Sequence, residues 1–136
     1  MRTWQTPTEL NDQLDDLSNA NEEVTMTTIG FSRNGTPIQC LELARQGDTP
    51  IETRPAILVV AGIDGGHLLG STVAVELVQE LLSMDPNETS ALLDTNRLYI
   101  IPQVNPDVAT TYFAPVLNEQ QKNSKPTDDD HDGLLD

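Results

Sequence analysis

The chain has 136 residues, enough for one hydrophobic core but too few for two ordinary domains. Its formal net charge of −15 at pH 7 argues against nucleic acid and against an anionic membrane surface as partners. No apolar run approaches the roughly 18 residues that a membrane-spanning helix needs. The single cysteine, Cys40, excludes an intrachain disulfide and a cysteine metal cluster, and we expect it to be a small buried residue on a strand.

The N-terminal part predicts a helix and then a β-hairpin. Thr6 and Glu9 have the spacing of a capping box around a helix that begins at Pro7, and leucines recur along one face of that helix. Asn34 and Gly35 are a two-residue turn signal between two β-prone segments. In chain order the predicted elements are a helix from residue 7, strands over 24–31 and 38–45, a loop over 46–55, a strand over 56–61, a helix over 68–84 and a strand over 97–101.

The second half of the chain predicts an α/β fold. Residues 56–61 are apolar without alternation, which is typical of a central strand buried on both faces. The helix that follows would cross over to a parallel strand at residues 97–101, and this makes a βαβ unit. After residue 102 the pattern decays, so we divide the chain into a folded part over residues 1–116 and a polar, acidic tail over residues 117–136.

The apolar strand ends at two glycines that Asp64 and His67 flank. The carboxyl end of a buried strand is where α/β folds commonly hold ligands, and both side chains are metal-ligand types. A structural alternative is that Asp64 caps the following helix and that His67 bonds to solvent or to Asp64. A phosphate-binding glycine loop is disfavoured, because the segment matches neither common pattern and Asp64 would repel phosphate.

Three motifs together resemble the N-terminal part of the zinc carboxypeptidase family, the funnelin-type metallopeptidases. Residues 30–38 (GFSRNGTPI) resemble the family's G-x-S-x-x-G-x-x-I hairpin. Residues 55–63 resemble the strand that delivers its first zinc ligands, and residues 99–107 resemble the strand that ends in N-P-D. The motifs occur in the family's order and at about its spacing, so the resemblance covers residues 6 to about 107.

The resemblance implies a mixed sheet with an N-terminal hairpin, a zinc cofactor and a peptide or protein substrate that loses its C-terminal residues. The family's zinc motif is H-x-x-E, and the aligned residues are Asp64 and His67, so the two ligand types are exchanged. Val108 replaces the glycine that commonly follows N-P-D. Asp64 and His67 are therefore candidate zinc ligands, because zinc accepts both donor types at nearly the same distance.

No residue matches the family's distal histidine, its catalytic glutamate or its substrate-binding arginine. We therefore assign no catalytic residue, and we expect the chain to be the N-terminal part of a longer metallocarboxypeptidase and to be inactive alone. The alternative is a non-catalytic, carboxypeptidase-like binding domain with an altered metal site, stabilised by calcium. The resemblance and the calcium-like loop described next favour an extracellular or periplasmic location.

The last nine residues, 128–136 (DDDHDGLLD), match the first nine positions of a calcium-binding loop. Asp128, Asp130 and Asp132 occupy positions one, three and five, so their carboxylates could converge on one cation, and Gly133 occupies the turn position. Position twelve, where a bidentate glutamate is usual, lies beyond residue 136. His131 would point outward and is not counted as a ligand. A solvated acidic tail is the alternative.

Overall fold

The computed structural model describes residues 4–85, 89, 92–115 and 131–133. It contains helices α1 (Pro7–Ala20), α2 (Leu69–Ser83) and α3 (Pro106–Thr111), and strands β1 (Val24–Phe31), β2 (Pro37–Leu43), β3 (Ala56–Val60) and β4 (Arg97–Ile101). The strand order is β1-β2-β4-β3; β3 and β4 are parallel and the other pairs are antiparallel. The α/β class and the βαβ unit are confirmed. Among the described helices, none is long and apolar enough to span a membrane.

Helix α1 begins with the predicted capping box. The Thr6 hydroxyl accepts a hydrogen bond from the Glu9 amide at 3.2 Å, and the Thr6 amide donates to the Glu9 carboxylate at 2.8 Å. These bonds from Thr6 hold the pKa of Glu9 below its ordinary value. Leu10 and Leu14 are buried, so the helix packs through the face that the leucine spacing predicts.

The β1–β2 hairpin has a longer connection than the two-residue turn that the sequence suggests. The connection is residues 32–36, with Gly35 at a φ of 83° and the Ser32 amide donating to the Thr36 carbonyl at 2.8 Å. Strand β2 ends at Leu43, not at the predicted residue 45, because the Arg45 amide leaves the sheet and donates to the Leu93 carbonyl at 3.0 Å.

The core lies on one face of the sheet. Leu41 of β2 is in register with Ile100 of β4, and both are fully buried. Leu14 of α1 and Val78 of α2 belong to the same buried cluster, so both helices cover this face. Burying an aliphatic side chain of this size contributes about 2 kcal/mol relative to leaving it exposed. Cys40 is buried on β2, as expected.

The loop over residues 46–55 is organised by a buried arginine that the sequence did not single out. Arg54 is 3% exposed, and its guanidinium donates to the carbonyls of Thr49, Arg45 and Leu93. A planar guanidinium with five donors can satisfy several carbonyls at once, which a lysine cannot do in this geometry. Arg54 therefore ties this loop to the segment that precedes β4.

Among the described residues, the prediction that residues 56–61 form a central strand buried on both faces is wrong. Within that part of the chain, strand β3 lies at the edge of the sheet and pairs only with β4. Ile57 is 45% exposed, Leu58 61% and Val60 39%. The apolar run reflects a strand that is suited to burial, but the described residues cover neither its free edge nor its second face.

Helix α2 is apolar on two opposite sides, and only one of them packs against the sheet. Ala74, Val75 and Val78 are buried, whereas Val73 is 52% exposed and Leu77 37% exposed. The apolar spacing that predicts this helix consists of Val73, Leu77, Leu81 and Met84. Leu81 is partly buried against the core, whereas Val73 and Leu77 face outward.

Candidate functional site

Three connections meet at one end of the sheet. Strands β1, β3 and β4 run in the same direction, since β2 is antiparallel to both of its neighbours and β3 is parallel to β4. Their carboxyl ends therefore lie at one end, where the hairpin turn (residues 32–36), the β3–α2 loop (residues 61–68) and the β4–α3 turn (residues 102–105) follow them. The three motifs of the sequence thus converge in space.

Asp64 and His67 are brought together in the β3–α2 loop. His67 Nδ1 lies 2.8 Å from Asp64 Oδ2, and the two side chains are 80% and 49% exposed. The second carboxylate oxygen, Oδ1, accepts a hydrogen bond from the Gly66 amide at 3.2 Å. Asp64 is not the cap of α2, because the N-cap residue is Leu68 and no side chain bonds there. Oδ2 of Asp64 and Nδ1 of His67 therefore face each other.

Gly65 allows the β3–α2 loop to lie directly against the β4–α3 turn. A Cβ atom at position 65 would be 2.6 Å from the Asn105 carbonyl oxygen, 2.7 Å from Val108 Cβ and 2.9 Å from the Ala109 amide nitrogen. These distances are too short for a side chain of any kind. A hydrogen bond joins the same two segments, because the Asn105 amide donates to the Gly62 carbonyl at 3.1 Å. The position of the Asp64–His67 loop is therefore fixed by the N-P-D turn.

Asp107 links the N-P-D turn to the hairpin turn. Its carboxylate accepts hydrogen bonds from the Ser32 hydroxyl at 2.6 Å and from the Asn34 amide at 3.2 Å, and the residue is 6% exposed. Two segments about 75 residues apart in sequence are thereby joined. This contact gives a physical reason for the serine of one motif and the aspartate of the other to occur together.

Helix α3 and the role of Asp107 were missed by the sequence analysis, which placed only a decaying pattern after residue 102. The available signal was local: Pro106 occupies the first helical position and Asp107 lies in the first turn, where an acid is favourable. The helix has only six residues, so no apolar periodicity could develop.

A cleft of about 420 Å³ lies between the hairpin turn and the other two connections. Its lining includes Ser32, Arg33, Ile63 and Asn105. Ile63, which lines this cleft, directly precedes Asp64 in the β3–α2 loop, and neither Asp64 nor His67 is among the residues that line it. No described residue covers the solvent-facing side of the Asp64–His67 pair, so both side chains are highly exposed.

The pair offers two donors of types that zinc accepts, but not a full set. Among the described residues there is no group of three or more His, Cys, Asp or Glu side chains that could hold a metal ion. Two ligands of a tetrahedral zinc ion lie about 3.3 to 3.6 Å apart, since each bond is about 2.0 to 2.2 Å long. Asp64 Oδ2 and His67 Nδ1 could reach that separation with a movement of under about 1 Å.

Part of the predicted calcium loop lies outside the described residues, namely Asp128 and Asp130. Asp132 is exposed, and Gly133 has a φ of 90°. A left-handed backbone at this glycine suits the sharp turn at position six of a calcium loop. His131 also has a positive φ, of 61°.

Comparisons with known proteins agree on one family. The zinc carboxypeptidase family model matches residues 10–127. No curated protein sequence matches the chain significantly. Among solved structures, carboxypeptidase A from Helicoverpa armigera is similar with a TM-score of 0.69 and 16% identity, over 82% of this chain and 27% of that one.

Two further structures are similar over comparable stretches. Bovine thrombin-activatable fibrinolysis inhibitor, in complex with tick carboxypeptidase inhibitor, has a TM-score of 0.68 and 16% identity, over 85% of this chain and 36% of that one. A metallo-carboxypeptidase from Pseudomonas aeruginosa has a TM-score of 0.64 and 26% identity, over 74% of this chain and 26% of that one. The chain thus spans about a third or less of these three proteins. Because the family model matches most of its length, the chain belongs to the zinc carboxypeptidase family.

Proposed function

We propose that this chain supplies the N-terminal part of a zinc metallocarboxypeptidase, which hydrolyses C-terminal residues from peptide or protein substrates. Family membership and the metallo-carboxypeptidase structure from Pseudomonas aeruginosa support the reaction class. The observation that carries the proposal is the Asp64–His67 pair, with Oδ2 and Nδ1 at 2.8 Å, at the carboxyl end of β3. This is the strand that, by the family resemblance, delivers the first zinc ligands.

Asp64 and His67 fit zinc as two of its ligands. An imidazole nitrogen and a carboxylate oxygen are both ordinary zinc donors, and the exchange of their order along the chain leaves the donor set unchanged. The exchange alters how far each donor reaches from the backbone, so the ion would be displaced relative to one held by H-x-x-E. A further protein ligand, such as a distal histidine, must come from residues other than these two.

When bound, zinc supplies Lewis-acid chemistry: it polarises a peptide carbonyl and activates water. The chain's own residues prepare the position. The Gly66 amide engages one oxygen of Asp64 and leaves the other directed at His67. The Asp107 carboxylate and the close approach of Gly65 to Asn105 hold the surrounding turns together. A ligand pair that is positioned before the metal arrives binds it with less ordering of side chains.

The proposal predicts that the 136-residue chain alone does not hydrolyse a C-terminal dipeptide model substrate, with or without added zinc. Two ligands and no assigned base do not make a working centre. A longer polypeptide that contains these residues, a distal histidine and a downstream glutamate should hydrolyse the same substrate and lose that activity with a chelator. Chelator-sensitive turnover by the short chain would contradict the assignment of its ligands, and an inactive longer chain would contradict the proposed reaction.

The second candidate function is a non-catalytic binding domain stabilised by calcium. The positive φ of Gly133 at the sixth loop position favours a calcium-binding turn, and the exchanged zinc ligands are compatible with a lost activity. The same assay separates the candidates: for the binding domain, the longer chain stays inactive while calcium raises its melting temperature. In the 136-residue chain we expect calcium to bind weakly, because the ligand at position twelve is missing.

A further inference from the structure

The turn of the β1–β2 hairpin carries a dipeptide that is prone to spontaneous deamidation. Asn34 and Gly35 form the only asparagine–glycine pair among the 136 residues. In such a pair the backbone nitrogen of the glycine can attack the side-chain carbonyl of the asparagine, because glycine has no Cβ that would obstruct the approach. The sequence therefore marks Asn34 as a candidate site of covalent modification.

The surroundings of this pair leave room for the reaction. Asn34 is exposed among the described residues, and a Cβ atom at Gly35 would meet no atom within 4 Å. Gly35 has a φ of 83°, a backbone conformation that favours glycine over residues with a side chain. The sequence and the open space around the turn thus agree on the same two residues.

Hydrogen bonds hold the backbone of the turn in a closed form. The Gly35 amide, which contains the attacking nitrogen, donates to the Ser32 carbonyl at 3.1 Å. The Asn34 amide donates to the Asp107 carboxylate at 3.2 Å, and the Ser32 hydroxyl donates to the same carboxylate at 2.6 Å. The Thr36 amide donates to that hydroxyl at 3.0 Å. The nitrogen is therefore engaged while Asp107 keeps the turn closed, and it is released when the turn opens.

We propose that Asn34 is a deamidation site whose rate is controlled by the contact of the turn with Asp107. When the turn opens, the Gly35 nitrogen loses its proton and bonds to Cγ of Asn34, the bond from Cγ to Nδ2 breaks, and ammonia leaves. The resulting five-membered imide then reacts with water. Opening at the side-chain carbonyl gives aspartate, and opening at the backbone carbonyl gives isoaspartate. The net reaction consumes one water and releases one ammonia.

Either product keeps the hairpin turn from closing again as before. The new carboxylate at position 34 lies beside the amide that donates to Asp107, so two negative charges would repel each other at this contact. In isoaspartate the backbone also runs through Cβ and Cγ and is one atom longer, which shifts the hydrogen bonds of residues 32–36 out of register. The modification would thus release a turn that lines the cleft through Ser32 and Arg33. It depends neither on zinc nor on the proposed catalytic function.

Incubation of the full 136-residue chain at mildly alkaline pH, followed by mass spectrometry, tests the proposal. Cleavage after Glu23 and Glu42 releases residues 24–42, in which Asn34 is the only asparagine. We expect this peptide to gain the mass of an amide-to-acid conversion and to contain isoaspartate. The native chain should convert about tenfold or more slowly than the urea-denatured chain, because the turn must open first. Asn34→Gln should stay unmodified, because its side chain would have to close a six-membered ring.

Three variants test the control by Asp107. Asp107→Ala should accelerate the conversion of Asn34 by about fivefold or more, since the loss of its hydrogen bonds raises the population of the open turn. Ser32→Ala removes the hydroxyl that bonds to Asp107 and should also accelerate the conversion, which covers the case in which Asp107→Ala fails to fold. Val78→Ala is the matched control: it removes buried volume from the core, away from the turn, and should change the rate by under about twofold.

Amide hydrogen exchange measures the consequence of the modification. In the converted chain the amides of residues 32–36 should exchange faster than in the unmodified chain, because the turn no longer closes on Asp107. No conversion of Asn34 in the Asp107→Ala variant, or equal rates in the native and denatured chains, would overturn the proposal. Equal acceleration by Val78→Ala, or unchanged exchange at residues 32–36 after conversion, would overturn it as well.

Discussion

Replacing Gly65 with alanine is expected to lower the free energy of unfolding by about 3 kcal/mol. The new Cβ would meet the Asn105 carbonyl oxygen at 2.6 Å and the Ala109 amide nitrogen at 2.9 Å. Both are backbone atoms, so the clash can be relieved only if the β3–α2 loop moves away from the β4–α3 turn. Urea denaturation followed by circular dichroism measures this loss.

The matched control is Gly66→Ala in the same loop. A Cβ at position 66 would meet only Asp64 Oδ1, at 3.5 Å, which is an ordinary contact. The free energy of unfolding should therefore change by under about 0.5 kcal/mol. Equal destabilisation by the two substitutions would show that the loop is sensitive to any added side chain, and it would contradict a specific contact at Gly65.

The second large effect is expected for Asp107→Ala, which should lower the free energy of unfolding by about 2 kcal/mol. The substitution removes the buried carboxylate that accepts hydrogen bonds from the Ser32 hydroxyl and the Asn34 amide. The hairpin turn would lose its connection to the N-P-D turn. Chemical denaturation gives the magnitude, and hydrogen exchange at residues 32–36 locates the effect.

Two variants separate this contact from the loss of one negative charge. Asp48→Ala removes an exposed acid from a loop and should be neutral or slightly stabilising, because the chain carries a net charge of −15. The double variant Ser32→Ala with Asp107→Ala should be less destabilised than the sum of the single variants, since both remove the same bond. Strict additivity would show that the Ser32–Asp107 bond contributes nothing measurable.

Local sequence signals predicted the elements whose ends are set by short-range chemistry. The capping box at Thr6 and Glu9 and the β-branched segment over residues 24–31 define α1 and β1 as the structure has them. The parallel pairing of β3 and β4 followed from the helix between them. In each case the deciding contacts lie within one element or one connection.

The sequence did not predict which faces of the strands and helices are buried. The apolar run over residues 56–61 indicates a strand that is suited to burial. It does not indicate which part of a polypeptide covers that strand, and Leu58 is 61% exposed among the described residues. The stripe that includes Val73 and Leu77 likewise predicted the helix but not which side packs. Sequence patterns report preferences, whereas burial depends on the other surfaces that are present.

The candidate site was partly predictable. The position of Asp64 and His67 at the end of an apolar strand indicated that their side chains would be close, and His67 Nδ1 lies 2.8 Å from Asp64 Oδ2. The contacts of Asp107 with Ser32 and Asn34 were not predictable from spacing, because they join distant segments through the topology of the sheet. The metal-binding role of Asp64 and His67 remains a proposal that rests on family membership and on the geometry of this pair.

The most direct test of the zinc assignment is a titration of the ¹⁵N-labelled chain with zinc, followed through the ring nitrogens of its only two histidines, His67 and His131. We predict that zinc shifts Nδ1 of His67, that a chelator reverses the shift, and that Asp64→Ala weakens the binding. Binding should be weak, since two side chains fill only half of zinc's four positions. A response at His131 alone, or coordination of His67 through Nε2 with no effect of Asp64→Ala, would contradict a shared Asp64–His67 zinc site.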